Sequence, residues 1–269
     1  MTNTPSPLTT TAGRRIHPVA ELLLRERHPL VLSLALHLVP GALITAVYLL
    51  FAEPFVLSVG YPPFLAWAIA LTAVLGPLLL GLYWLGHQRN GRLSLRGVLH
   101  YTGRPISRGK LTALIAALIV WMTVVSLALV PMDNWFYDQF FTWIQYKGAG
   151  GSATTYLDGY SRTAVLVTLV VCLPFTGFSL PLVEELYFRG FLLPRLPQLG
   201  RWAPLVNTVL FTVYHFWSPW TYLSKVIFLF PAVWLVWRKH DLRISIGMHP
   251  GTALLMASAG IIALALGVI

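Results

Sequence analysis

Apolar residues fill long stretches of this chain, and polar residues are confined to the short intervals between them. Runs of spanning length, about 20 residues each, fall at roughly 30–51, 64–86, 111–131, 163–182, 203–223, 226–237 and 246–269, the sixth being short. The pattern predicts an all-α polytopic transmembrane bundle of about seven spans, forming a single integral membrane domain over 1–269. Residues 1–29 precede the first run as a basic tail, polar and rich in Thr and Pro at its start. Within it, 19–30 is predicted to form a short amphipathic helix on the membrane surface. The tail lacks a small-residue cleavage site after a short apolar core, so it does not read as a secretory signal. No internal repeat is visible.

Composition sharpens the class. Hydrophobic residues make up 57% of the chain and charged residues 10%, with a mean hydropathy of +0.70. Ordinary soluble domains do not reach these values. A net charge of +10 would suggest nucleic acid in a soluble protein, but here the cations cluster between the apolar runs. Arg14, Arg15, Arg25 and Arg27 lie in the tail, and Arg89, Arg92, Arg96, Arg104, Arg108 and Lys110 lie after the second run. Arg189, Arg195 and Arg201 follow the fourth run, and Arg238, Lys239 and Arg243 follow the sixth. Only Lys147, Arg162 and Lys225 fall in the alternate intervals. By the positive-inside rule the N-terminus is cytoplasmic and, with seven spans, the C-terminus faces outward. Nucleic acid is excluded as a partner, and the lipid bilayer is implied. The Arg/Ala/Leu-rich composition, without a eukaryotic targeting signal, points to a bacterial inner membrane.

The outer interval 132–162 carries Trp135, Phe136, Tyr137, Phe140, Phe141 and Trp143, read as an interfacial aromatic belt, followed by Gly148–Ser152. Cys172 is the single cysteine, so no disulfide framework exists. It reads as a small buried side chain.

Candidate chemistry concentrates in PLVEELYFRGFLLP, from Pro181 to Pro194. Of nine acidic residues, only Glu184 and Glu185 read as embedded between apolar segments. Carboxylates cost about 2.5 to 3.5 kcal/mol each in such a setting and are hypotheses of function by default. Glu185 and Arg189 are four residues apart in the order that favours a helical ion pair. Glu184 is left without a local partner, and an unpaired carboxyl group in an apolar surround is suited to take a proton from water. The bland alternative is an ion-pair cluster at the membrane interface. His215, Phe211 and Asn207 recur at one-turn spacing on one helix face, and His249 opens the last span. His37 reads as a packing residue, and His17, His28, His87, His100 and His240 read as solvated.

Glu184–Gly190 (EELYFRG), then Phe211 with His215, then His249 resemble the ordered EExxxR, FxxxH and HxxxN motifs of the CPBP family of intramembrane proteases, which includes the type II CAAX prenyl endopeptidases. The similarity covers about 163–257. It implies a glutamic-type endopeptidase acting on a membrane-attached protein or peptide. In this scheme Glu184, assisted by His215, activates water, and His249 stabilises the oxyanion or protonates the leaving amine. Glu185 and Arg189 orient them. One position departs: the family's final Asn is Ala253 here, and Asn207 or Thr252 are the candidate substitutes. A prenylated CAAX substrate is implied for some relatives; others are linked to peptide maturation, sorting-signal cleavage or self-immunity. No cofactor is expected. A zinc version would use Glu184, His215 and His249 with water as fourth ligand, but no HExxH is present and Arg189 disfavours a second cation. The competing class is a non-catalytic membrane scaffold or immunity-type binding protein on the same fold. A transporter is disfavoured by the absence of repeated halves.

Overall fold

The computed structural model describes residues 16–103, 105–144 and 157–268. Arg14, Arg15, Arg104, Lys147 and the glycine-rich stretch Gly148–Ser152 lie outside them. Eight helices carry the fold: α1 (Pro18–Leu23), α2 (Leu30–Ser58), α3 (Pro63–Asn90), α4 (Arg108–Phe141), α5 (Arg162–Arg195), α6 (Ala203–Tyr214), α7 (Pro219–Lys239) and α8 (Arg243–Leu266). Among the described residues there is no strand, only two isolated bridges, Arg96 with Leu99 and Thr102 with Asp241.

Six of the helices, all but α1 and α6, are long and apolar enough to cross a membrane. Their outer faces carry residues such as Val31, Phe51 and Leu80, each more than two-thirds exposed. A continuous apolar exterior of this kind belongs in hydrocarbon rather than water. The chain is therefore a helical integral membrane protein with six candidate spans, against the seven predicted. The difference lies in 203–223. Its helix stops at Tyr214 because His215 takes ψ 58, and a turn through Ser218 and Pro219 begins α7. Twelve residues at 1.5 Å each reach about 18 Å, short of the ~30 Å hydrocarbon core. The predicted run 226–237 is correspondingly longer, starting at Pro219.

The predicted fourth run is also longer than expected. α5 continues to Arg195, so EELYFRG lies inside a helix rather than in the interval after it. α5 widens into π turns at Leu173–Ser179 and Glu185–Leu192, on either side of a short α turn, Leu180–Glu184. Glu53 and Asp133 also fall within candidate spans, so the two motif glutamates are not alone among embedded acids.

The ends of α3, α5 and α7 share one face. Arg195 Nη2 donates to the Val98 carbonyl at 3.2 Å, and the His100 amide donates to Gly190 at 2.9 Å. The Leu242 amide donates to Tyr101 at 2.8 Å, and the Tyr101 and His240 rings stack 5.0 Å apart. α8 leaves from this face. Its other end meets the start of α5, where Arg162 Nη2 donates to the Leu264 and Ala265 carbonyls at 2.7 and 2.8 Å and satisfies acceptors that a helix end leaves open.

Small residues permit close packing inside the bundle. Gly247 and Gly251 of α8 meet Ile115 and Ile119 of α4, and Gly41 of α2 meets the Tyr214 carbonyl at the end of α6. α6 thus wedges between α2 and α7.

Candidate active site

The EELYFRG segment places its side chains by helix geometry and burial. Glu185 and Arg189 are both fully buried, with Arg189 Nε 3.4 Å from Glu185 Oε2, the pairing predicted from their spacing. The guanidinium stacks 3.8 Å from the centre of the Phe211 ring. An ion pair without water needs such supporting contacts to offset its desolvation.

His249 joins the pair from α8. Its Nδ1 lies 2.8 Å from Glu185 Oε1. A carboxylate only accepts, so Nδ1 carries the proton and Nε2 faces away from the pair. Glu185 therefore braces His249, linking the first and third motifs directly. His249, expected to open the last span, is set deeper because α8 begins at Arg243. His249 is then a turn and a half inside the helix, about 9 Å along it.

Glu184 is also buried, but it is not without a partner. The Tyr214 hydroxyl, itself fully buried, donates to Glu184 Oε1 at 3.1 Å. Sequence reasoning missed this contact, although a signal existed: a tyrosine beside the motif histidine in an apolar run needs somewhere to direct its hydroxyl.

His215 is the first residue past α6. Its Nδ1 is 2.9 Å from the Phe211 carbonyl, which fixes the proton on Nδ1 and leaves the Nε2 lone pair available. The His215 ring packs edge-on against Phe211 at 4.9 Å and Tyr214 at 4.8 Å, and Phe211 in turn meets His249 at 6.1 Å. Phe211 and Tyr214 are thus the hub on which Glu184, Arg189, His215 and His249 converge.

The supporting candidates separate. Asn207 Nδ2 donates to His37 Nε2 and to the Phe188 carbonyl, each at 3.0 Å, while His37 Nδ1 donates to Ser33 at 2.7 Å. Both amide hydrogens of Asn207 are spent on holding α2 and α6 to the π turn of α5, leaving none for an oxyanion. Reversing the amide would set its oxygen against the Phe188 carbonyl. His37 is buried and satisfied, as expected of a packing residue. Thr252 is one turn beyond His249, buried, with a hydroxyl that has no partner among the described residues. Ala253 stands next to it, partly exposed.

Among the described residues no three His, Cys, Asp or Glu side chains are grouped to hold a metal ion. The set Glu184, His215 and His249 is not among any such group.

Beneath the site, on the basic face, Arg195 is fully buried over the Phe191 ring at 4.2 Å. His28 is buried beside it rather than solvated as expected, its Nε2 directed to the Leu23 carbonyl at 3.0 Å. Burial, reinforced by Arg195, lowers the pKa of His28, and burial with Arg195 does the same for His100.

Residues 165–255 match the family described as type II CAAX prenyl endopeptidase Rce1-like. The matched region contains all three motifs and bears out the resemblance to the CPBP and CAAX proteases. No curated protein and no solved structure gave a match.

Proposed function

We propose that this chain is an intramembrane endopeptidase that hydrolyses a peptide bond in a membrane-attached protein or peptide, with Glu184 as the base. The observation that carries the reading is the junction of three separate motifs around Phe211 and Tyr214, with Glu185 bonded to His249 across helices. Glu184, oriented by the Tyr214 hydroxyl, takes a proton from water while the Nε2 lone pair of His215 holds the same water. The water oxygen bonds to the scissile carbonyl carbon, and the resulting oxyanion accepts from the Thr252 hydroxyl, which stands in for the family Asn replaced by Ala253, and from Nε2–H of His249 as the imidazolium paired with Glu185. Collapse of the intermediate breaks the C–N bond and returns the proton to the leaving amine. No step runs through a metal. The family description supports a lipid-modified, CAAX-type substrate, and the basic face supports a cytoplasmic orientation in a bacterial inner membrane.

A second reading, a binding scaffold on the same fold, is favoured by Ala253 alone. Replacement of Glu184 by Gln separates the two. Comparative membrane proteomics of wild type and Glu184→Gln cells should reveal a precursor that accumulates only with the variant, while the variant protein is present at normal level. Identical profiles would remove the protease reading.

A further inference from the structure

Outside the three motifs, a line of polar side chains runs from α4 to the turn that carries His215. Asp133 on α4 is buried and accepts from Ser224 Oγ at 2.8 Å. Ser224, also buried, lies one turn after Thr221 and beside Lys225 on α7. Thr221 Oγ1 donates to the Ser218 carbonyl at 2.7 Å, and Lys225 Nζ donates to Ser218 Oγ at 2.8 Å. The Ser218 amide donates to the His215 carbonyl at 2.9 Å. Lys225 is within electrostatic reach of His215, Asp133 and Glu184.

His215 needs such support. It has left α6, with ψ 58, so no continuing helix fixes its backbone. Among the described residues its imidazole makes one hydrogen bond, from Nδ1 to the Phe211 carbonyl, and is otherwise held by ring packing against Phe211, Tyr214 and Trp217. A lysine in this setting is costly. Its bond to Ser218 offsets part of that cost.

We propose that Lys225, acting through Ser218 and backed by Asp133 and Ser224, is a positioning residue that fixes His215 with Nδ1 protonated and its Nε2 lone pair directed to the reacting water. The inference rests on the proposed hydrolase reading for its purpose but not for its geometry. The Ser218 contact fixes the turn from which the ring projects.

The test uses the full-length protein in lipid nanodiscs, labelled with ¹⁵N-histidine, with the His215 signals assigned by their loss in His215→Gln. Wild type should show His215 as one Nδ1–H tautomer at pH 7.5. Lys225→Met should turn that signal into a tautomer mixture while the His249 signals stay in place, and Lys225→Arg should restore it. On a prenylated fluorogenic peptide in liposomes, Lys225→Met should lower kcat about tenfold or more, a fraction of what a general base supplies, with KM unchanged. An unchanged His215 spectrum in Lys225→Met, or a mixture that Lys225→Arg fails to restore, overturns the positioning role whatever the turnover. A spectral change as expected, with full cleavage by Glu184→Gln, leaves the positioning intact and removes the hydrolase reading instead.

Discussion

Tyr214 is the single side chain that most changes the picture of Glu184. In the proposed mechanism Glu184 is the base and must be aimed, and one hydroxyl at 3.1 Å aims it. Tyr214→Phe keeps the aromatic packing and deletes only this bond. The expected loss is about 1 to 3 kcal/mol, because a buried acceptor is left unsatisfied, read as a fall in thermal midpoint in detergent and a several-fold lower kcat on a prenylated fluorogenic peptide. At this scale the sequence was readable where spacing decides contact: Glu185 and Arg189, four apart, pair as written. It was unreadable where the partner comes from another helix. Nothing in VEELYFR announces that Glu185 would reach His249, or that Asn207 would spend its amide on His37 and Phe188. His28 misled for a related reason, since charged neighbours in sequence do not prevent burial beneath another helix.

Between elements, the decisive contact is Gly41 of α2 against the Tyr214 carbonyl of α6. A methyl group at 41 would run into that backbone oxygen, which belongs to the residue preceding His215 and cannot yield as a side chain would. Gly41→Ala should therefore destabilise by about 1 to 3 kcal/mol and impair turnover. Gly76→Ala on α3, with open space around it, should be neutral or slightly stabilising. Thermal midpoints of the two variants in one detergent check both. The hydropathy run 203–223 hid this arrangement because a short helix, a turn and the start of the next helix are all apolar, and hydropathy carries no sign of where a chain reverses. The π turns of α5 were equally silent in the sequence. The floor of the bundle adds a pH dependence. His28 and His100 have folded pKa values below the ordinary 6.5, chiefly through burial. Above about pH 6.5 their contribution is fully present. As pH falls through that value the unfolded chain gains protons that the folded chain refuses, so stability declines. Thermal midpoints should be level from pH 8 to 7 and drop toward pH 5.5, and a His28→Gln, His100→Gln double variant should flatten the drop.

For the molecule as a whole, class was the most legible property, since it depends on counts over many residues. Cations cluster at the face where α3, α5 and α7 end; among those that lie elsewhere, Arg189 is drawn into the core by Glu185, Arg162 sits at the far end of α8 and Lys225 on Ser218. Labelling with a membrane-impermeant maleimide tests the orientation, because the native thiol of Cys172 is buried and stays silent. Arg92→Cys should react only once the cytoplasmic side is opened. Asp158→Cys and Val268→Cys should react on intact cells. Arg92 and Val268 reacting from the same side would refute the arrangement. The clasp of Arg162 on the last carbonyls of α8 bears on how anything gets in. α5 and α8 are tied at their outer ends by this clasp and midway by Glu185 and His249, as a door fixed by two hinges on one jamb. A seam held at two heights does not part to admit a polypeptide, so entry runs elsewhere than between α5 and α8.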